Sequence, residues 1–262
     1  MEAGSTFGQS LRSSLIGADQ AIEDAIAALR SIVSLKRFDH EQSCDPTDRA
    51  TLGWVEAGLV RKYVIHANGQ RRILDLLMPG DFFGFTQDAE FDYSLQAIRD
   101  GTQVACCRRV RLLELATRDP LVDHLLHDRS HQAIARLEAH LLAQGRTKAP
   151  EKVGAYLLTI ARRLGTPAAR SVELPVSRYD IADHLGIAVE TVCRAITDLR
   201  HAGAIAFDAP RQIAILDIEG LGEVRSFIRQ VRPAPAIGSR QQGVARRDGG
   251  ACARDGPPQF AH

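Results

Sequence analysis

Apolar residues begin to alternate in a strand-like way at about Leu52. Leu59, Val60, Tyr63, Val64 and Ile65 lead into Ala67-Asn68-Gly69-Gln70, and Ile73, Leu74, Leu76 and Leu77 follow. Asn68-Gly69 can supply two residues with positive φ, the requirement of a tight hairpin turn, so the pattern predicts two antiparallel strands. Pro79 to Gly84 reads as a turn with adjacent apolar residues, and a further β-like run passes through Ala97, Ile98, Gln103, Val104 and Ala105. Short strands divided by glycine-containing turns predict a small barrel or jelly roll.

The period becomes helical near Arg108, and Pro120 stands where a new helix can start. Leu125, Leu126, Ile134, Leu137 and Leu141 recur from there, the last three at the spacing of a narrow apolar seam. Such a seam suits a dimerising coiled coil, and burial against its own domain fits the spacing equally. Gly145 to Pro150 interrupts this helix as a hinge between domains. Val153, Leu157, Ile160 and Leu164 then share one face of an amphipathic helix that Gly165-Thr166-Pro167 closes. Ile205 to Phe207 and Ile213 to Leu216 read as strands of a terminal hairpin around Asp208-Ala209-Pro210-Arg211. After Val231 almost nothing apolar occurs in sequence, which predicts a disordered tail.

Between these elements, residues 177 to 203 carry a helix-turn-helix pattern. Ile181 and Leu185 give a first short helix an apolar face, and Ala182 is small enough for a second helix to approach. Gly186 suits a sharp turn, and Val192, Ile196 and Leu199 form the buried face of the next helix. Its opposite face carries Glu190, Cys193 and Arg194, with Val189 and Thr191 near its start. In the major groove an Arg can donate two parallel hydrogen bonds to guanine, and a carboxylate can accept from cytosine N4. Glu190 and Arg194 are four apart, so they can address one patch of groove or pair as an ordinary helix salt bridge. A carboxylate among phosphates costs electrostatic energy unless it reads something, which favours base reading. Ser177 and Arg178, at the entrance of the first helix, suit phosphate clamping, or an N-cap and a solvated charge.

Composition narrows the function classes. The chain has 262 residues with 45% hydrophobic and 25% charged, enough for one good core or two modest ones. No stretch of about 18 uninterrupted apolar residues occurs, so the expectation is a cytoplasmic protein with no membrane partner. Residues 1–145 carry 20 acidic against 16 basic side chains, whereas residues 146–231 carry 10 against 12 and residues 232–262 carry 2 against 5. That mild asymmetry fits a polyanion partner for the later part. Cys44, Cys106, Cys107, Cys193 and Cys252 show no Cys-x-x-Cys pair, which argues against a disulfide framework or a four-thiolate cluster. Adjacent Cys106 and Cys107 should point to opposite faces of a strand. His66, His124, His127, His131 and His140 lack thiolate or carboxylate partners at fixed offsets, so a solvated helix face is preferred to a metal site. Neither a glycine-rich phosphate loop nor a nucleophile elbow occurs, and no enzyme is expected. Cys193 is a redox candidate, because its oxidation beside Arg194 would place polar or negative character against DNA; a serine-like packing role is the alternative.

The residues Ser177 to Gly203, with Val189-Glu190-Thr191-Val192-Cys193-Arg194 at their centre, resemble the Crp/Fnr superfamily of bacterial transcription regulators, in its Fnr/FixK-like branch. The resemblance implies an α+β fold. An N-terminal segment and a β-roll sensor of cyclic-nucleotide-binding type would occupy 1–119 and a long dimerisation helix 120–145, with a C-terminal winged helix-turn-helix at 146–231 and the tail at 232–262. It further implies a homodimer joined through Ile134, Leu137 and Leu141. The function implied is a sequence-specific transcription regulator, an activator rather than a repressor, that contacts RNA polymerase and binds double-stranded DNA at a TTGAT-like inverted repeat. Glu190, Cys193 and Arg194 match the family's base-reading pattern, and Arg178 matches its phosphate-contacting Arg. Cyclic-nucleotide-binding members carry a Gly-Glu pair where Gly84 is here followed by Phe85, so cAMP is not expected. Iron–sulfur members carry clustered N-terminal cysteines, whereas only Cys44 precedes residue 100, so no iron–sulfur cluster is expected and no other cofactor is evident. The alternative is a haem- or small-molecule-dependent sensor of the same fold that acts mainly through ligand-switched protein contacts.

Overall fold

The computed structural model describes residues 19–46, 50–85, 92–164, 171–174, 176–209, 212–217 and 221. The expected helix stop at Gly165-Thr166-Pro167, the hairpin residues Pro210 and Arg211, and the tail at 232–262 lie outside the described residues.

The chain opens with helix α1 (Asp19–Ser31) and strand β1 (Ser34–Phe38), followed by β2 (Thr51–Ala57), β3 (Val60–Ile65), β4 (Arg71–Leu77), β5 (Phe82–Phe83), β6 (Ser94–Ala97) and β7 (Thr102–Arg108). These strands make two antiparallel sheets, ordered β1-β7-β2-β5 and β4-β3-β6. The inner faces of the two sheets enclose Val55, Val60, Leu77, Phe83, Leu95 and Val104. The outer face of the four-stranded sheet presents Leu52, Trp54, Ala105 and Cys107 to α1, to α2 (Arg109–Ala116) and to the first half of α3 (Pro120–Gln144). Period-two alternation thus sends Cys107 to this outer core, while Cys106 packs against the inner one, so the two thiols point to opposite faces as expected.

The expected hairpin pairs β3 with β4 in register from Val60 opposite Leu77 to Ile65 opposite Arg71. Its turn differs from expectation, because only Gly69 (φ 80°) of the Asn68-Gly69 pair is left-handed. The Gly69 amide donates to the His66 carbonyl at 2.8 Å and the His66 amide to Gln70 at 2.9 Å. This longer loop takes up the strand twist at one glycine instead of two central residues. The run from Ala97 to Ala105 is likewise not one strand. It divides into β6 and β7 around a turn closed by Gly101 (φ 72°).

Pro120 occupies the first turn of α3, and the Asp119 side chain accepts from the Leu121 amide. The apolar recurrence along α3 serves two surfaces. Val122 and Leu125 are fully buried in the outer core, whereas Ile134, Leu137 and Leu141 are 53%, 48% and 66% exposed. Among the described residues, the three seam residues belong to none of the buried core clusters. Gly145 ends the helix, and α4 (Ala149–Leu164), β8 (Ser171–Glu173), α5 (Arg178–Leu185), α6 (Val189–His201), β9 (Ile205–Ala209) and β10 (Gln212–Ile215) follow. The last sheet runs β8-β10-β9, adding a strand, β8, to the predicted hairpin. One apolar core joins this C-terminal part to the β-roll. Leu59, Leu76, Met78 and Ile98 pack in the same cluster as Val153, Leu157, Ile181, Leu185, Val192 and Ile196.

Candidate nucleic-acid interface

Helix α5 starts from a reciprocal cap. The Ser177 hydroxyl accepts from the Asp180 amide at 3.1 Å, and the Ser177 amide donates to the Asp180 carboxylate at 3.1 Å. This arrangement satisfies donors that a helix start leaves open, and it commits the Ser177 side chain to α5. Gly186 then adopts φ 67° and ψ 39°, the left-handed conformation that turns the chain from α5 into α6. A methyl group at Gly186 would run into the Arg72 guanidinium of β4.

The second helix has the two faces that its sequence implies. Val192, Ala195, Ile196 and Leu199 are buried, whereas Glu190, Arg194, Thr197 and Arg200 are exposed. Cys193 and Thr191 lie half-buried at the margin, and Val189 packs against the core, which makes it a support for the helix start. Ala188 caps α6 without a side-chain hydrogen bond, leaving the first-turn amides to solvent or to a polyanion. Among the described residues Glu190 and Arg194 form no ion pair with each other. The cation that touches the Cys193 thiol is Arg178 of α5. Its Nη1 donates to Sγ at 3.4 Å. Arg178 and Cys193 therefore link the starts of the two helices on the side of α6 that also exposes Glu190 and Arg194.

The thiols of the β-roll differ from Cys193 in setting. Burial pushes Cys44 up to about 12 and Cys107 up to about 11, and it also raises Cys106. Desolvation disfavours their thiolates, so these three are packing groups. The histidine expectation needs one correction. His124, His127 and His131 are exposed, but His140 is half-buried against His184 of α5, with ring centroids 4.0 Å apart, and the Tyr156 ring lies 5.0 Å from that of His184. The two rings meet because α3 and α5 converge, which spacing along one helix cannot reveal. They line a cavity of about 230 Å³ between β4, α3, α4 and α5. Burial and the neighbouring His140 lower His184 to about 3, and burial lowers His140. Among the described residues no group of three or more His, Cys, Asp or Glu side chains could hold a metal ion. Among the same residues, no helix is long and apolar enough to cross a membrane.

Asp180, Arg61 and Arg71 were not legible as functional residues, yet they tie α5 to the β-roll. Arg61 Nη1 donates to Asp180 Oδ1 at 2.7 Å, Arg71 Nη2 to the same oxygen at 3.1 Å, and Arg71 Nε to Asp183 at 2.8 Å. The Ser177-x-x-Asp180 spacing is itself a capping-box signal, and it could have marked Asp180.

A family model for the Crp-like helix-turn-helix domain matches residues 151–224. The nitrogen fixation regulation protein FixK of Azorhizobium caulinodans is 36% identical over 175 residues, 66% of this chain and 70% of the relative. The transcriptional activator protein FnrL of Cereibacter sphaeroides is 30% identical, over 60% of this chain and 65% of its own. Among solved structures, FixK2 from Bradyrhizobium japonicum superposes with a TM-score of 0.65 at 30% identity and covers 73% of this chain and 96% of its own.

Proposed function

Starting from the fact that this chain belongs to the Crp/Fnr family of DNA-binding transcription regulators as a FixK-like member, we propose that it activates transcription in the cytoplasm as a homodimer on a TTGAT-like inverted repeat. Regulators of this family are not enzymes, and the chemistry of this chain is recognition. The observation that carries the finer reading is the exposed, unpaired placement of Glu190 and Arg194 on α6, opposite the buried Val192, Ile196 and Leu199. Held in a major groove, Arg194 would donate to a guanine edge and Glu190 would accept from cytosine N4, each contact discriminating by about 1–3 kcal/mol. Cys193 completes the reading face, and its oxidation would weaken DNA binding.

Arg178 contacts the phosphate backbone, while Ser177, Val189 and Thr191 hold the two helix starts in place. The exposed Ile134, Leu137 and Leu141 join two copies along α3, so the two recognition helices enter successive major grooves about one helical turn apart. Contact with RNA polymerase follows from activation. Neither cAMP nor an iron–sulfur cluster takes part in this reading. Selection of bound sequences from a random DNA pool tests it. A TTGAT-like inverted repeat should be enriched; recovery of unrelated or non-palindromic sequences would refute the proposed operator.

A further inference from the structure

We propose that Arg61 and Arg71 of the β-roll are positioning residues for DNA reading, because they fix the angle of the helix-turn-helix to the body that carries the dimer helix. The inference rests on the dimeric reading above. Asp180 is the hub. One of its carboxylate oxygens accepts from the amide and hydroxyl of Ser177, and the other accepts from Arg61 and Arg71. The Arg61 side chain is 4% exposed and that of Asp180 5%. Arg61 is itself gripped, since its Nε donates to Gln96 at 2.9 Å and Nη2 pairs with Glu41. Beside this buried pair, Arg71 reaches Asp183 one helical turn along α5, and Arg72 lies against the Gly186 turn.

Two points of α5, Asp180 and Asp183, are thus held by two neighbouring strands, and the turn that follows lies beside Arg72. A buried ion pair adds little net stability over apolar packing but is costly to break, and the planar guanidinium accepts few alternative geometries. The adjoining apolar cluster of Leu59, Leu76, Met78 and Ile98 with Ile181 and Leu185 is non-directional, so the angular restraint falls to the arginines. The docking is also permissive. It leaves Arg178, Glu190 and Arg194 exposed, and it leaves Ile134, Leu137 and Leu141 exposed on α3. A contact that covers neither the reading face nor the dimer seam sets geometry rather than inhibiting. Two readers held at fixed angles select one half-site spacing, whereas loosened readers tolerate several.

Arg71 and Asp183 test this best, since their side chains are 28% and 30% exposed and Asp180 keeps Arg61 as a partner when Arg71 is removed. Full-length wild type, Arg71→Ala, Asp183→Ala and the double variant are titrated with three duplexes: the selected inverted repeat, the same repeat with a lengthened spacer, and a single half-site. Each single variant should lose about fivefold or more of the preference for the native spacing, within the usual range of coupling between sites. Half-site affinity should change far less, and the double variant should be no worse than either single one. Spacing preference intact in the folded single variants, or half-site affinity falling by the same factor as the repeat, would overturn the proposal. A wild type that does not favour the repeat over one half-site defeats the dimeric reading itself, and the positioning role falls with it.

Discussion

Arg178 and Cys193 are fifteen residues apart and on different helices, yet the guanidinium donates to the thiol sulfur at 3.4 Å. The contact places a cation and an oxidisable group side by side on the reading surface. Peroxide should convert the thiol to sulfenic acid, which then competes with bases and phosphates for Arg178. Operator affinity is expected to fall about tenfold in oxidised wild type, the effect of roughly 1.4 kcal/mol, and to hold in Cys193→Ser. Equal losses in both proteins would remove Cys193 from the account.

The dimer seam makes a second prediction. Ile134, Leu137 and Leu141 each leave about half of their apolar area in water, and a partner helix that covered it would gain half of the roughly 1.5–3 kcal/mol that full burial of such a side chain contributes. Leu137→Glu should therefore shift the protein from dimer to monomer in light scattering and remove the preference for paired half-sites, with helical content unchanged. A dimeric Leu137→Glu protein would place the interface elsewhere.

Gly186 tests the turn. Its left-handed backbone should make Gly186→Ala destabilising by about 1–2 kcal/mol in urea unfolding, and displacement of Arg72 should add to that. Removing the steric conflict with Arg72→Ala should recover the second part and leave the first. Equal stability of Gly186→Ala and wild type would contradict the turn geometry.

The His140–His184 pair gives a pH dependence with a definite sign. Both imidazoles sit below their ordinary range because burial disfavours the charged ring. The unfolded chain therefore binds protons first, and the stability that neutral His184 contributes is complete above about pH 6.5 and lost as the pH falls toward about 3. The loss approaches about 1.4 kcal/mol per pH unit for one such group. Urea midpoints at pH 7 and pH 5 should differ more for wild type than for His184→Phe; parallel changes in the two proteins would contradict it.

The readable parts of this chain were those whose signal is local. Gly186 between two short apolar periods announced the helix-turn-helix, and Val192, Ile196 and Leu199 lie buried on α6 as their spacing implies. Pro120 marked the start of α3 because its missing amide is not needed there. Helix α1 is the exception: Ile22, Ala25, Ile26 and Leu29 face the sheet at a three-four spacing, a local signal that the expectations above do not include. Long-range features stayed hidden. Strand β8 is three residues long and gains its identity only by pairing with β10. Arg61 and Asp180 lie 119 positions apart, and no spacing rule joins them. Spacing along α3 alone puts His140 in solvent, because its neighbour, His184, comes from another helix.

The most direct measurement compares wild type, Glu190→Ala and Arg194→Ala for binding to the inverted repeat and to a scrambled duplex of the same length and salt. Arg194→Ala and Glu190→Ala should each lose about 1–3 kcal/mol of discrimination between the two duplexes, with the affinity for scrambled DNA raised for Glu190→Ala, which removes a negative charge from among the phosphates, and slightly lower for Arg194→Ala. Full discrimination retained in both variants would mean that this pair does not read bases.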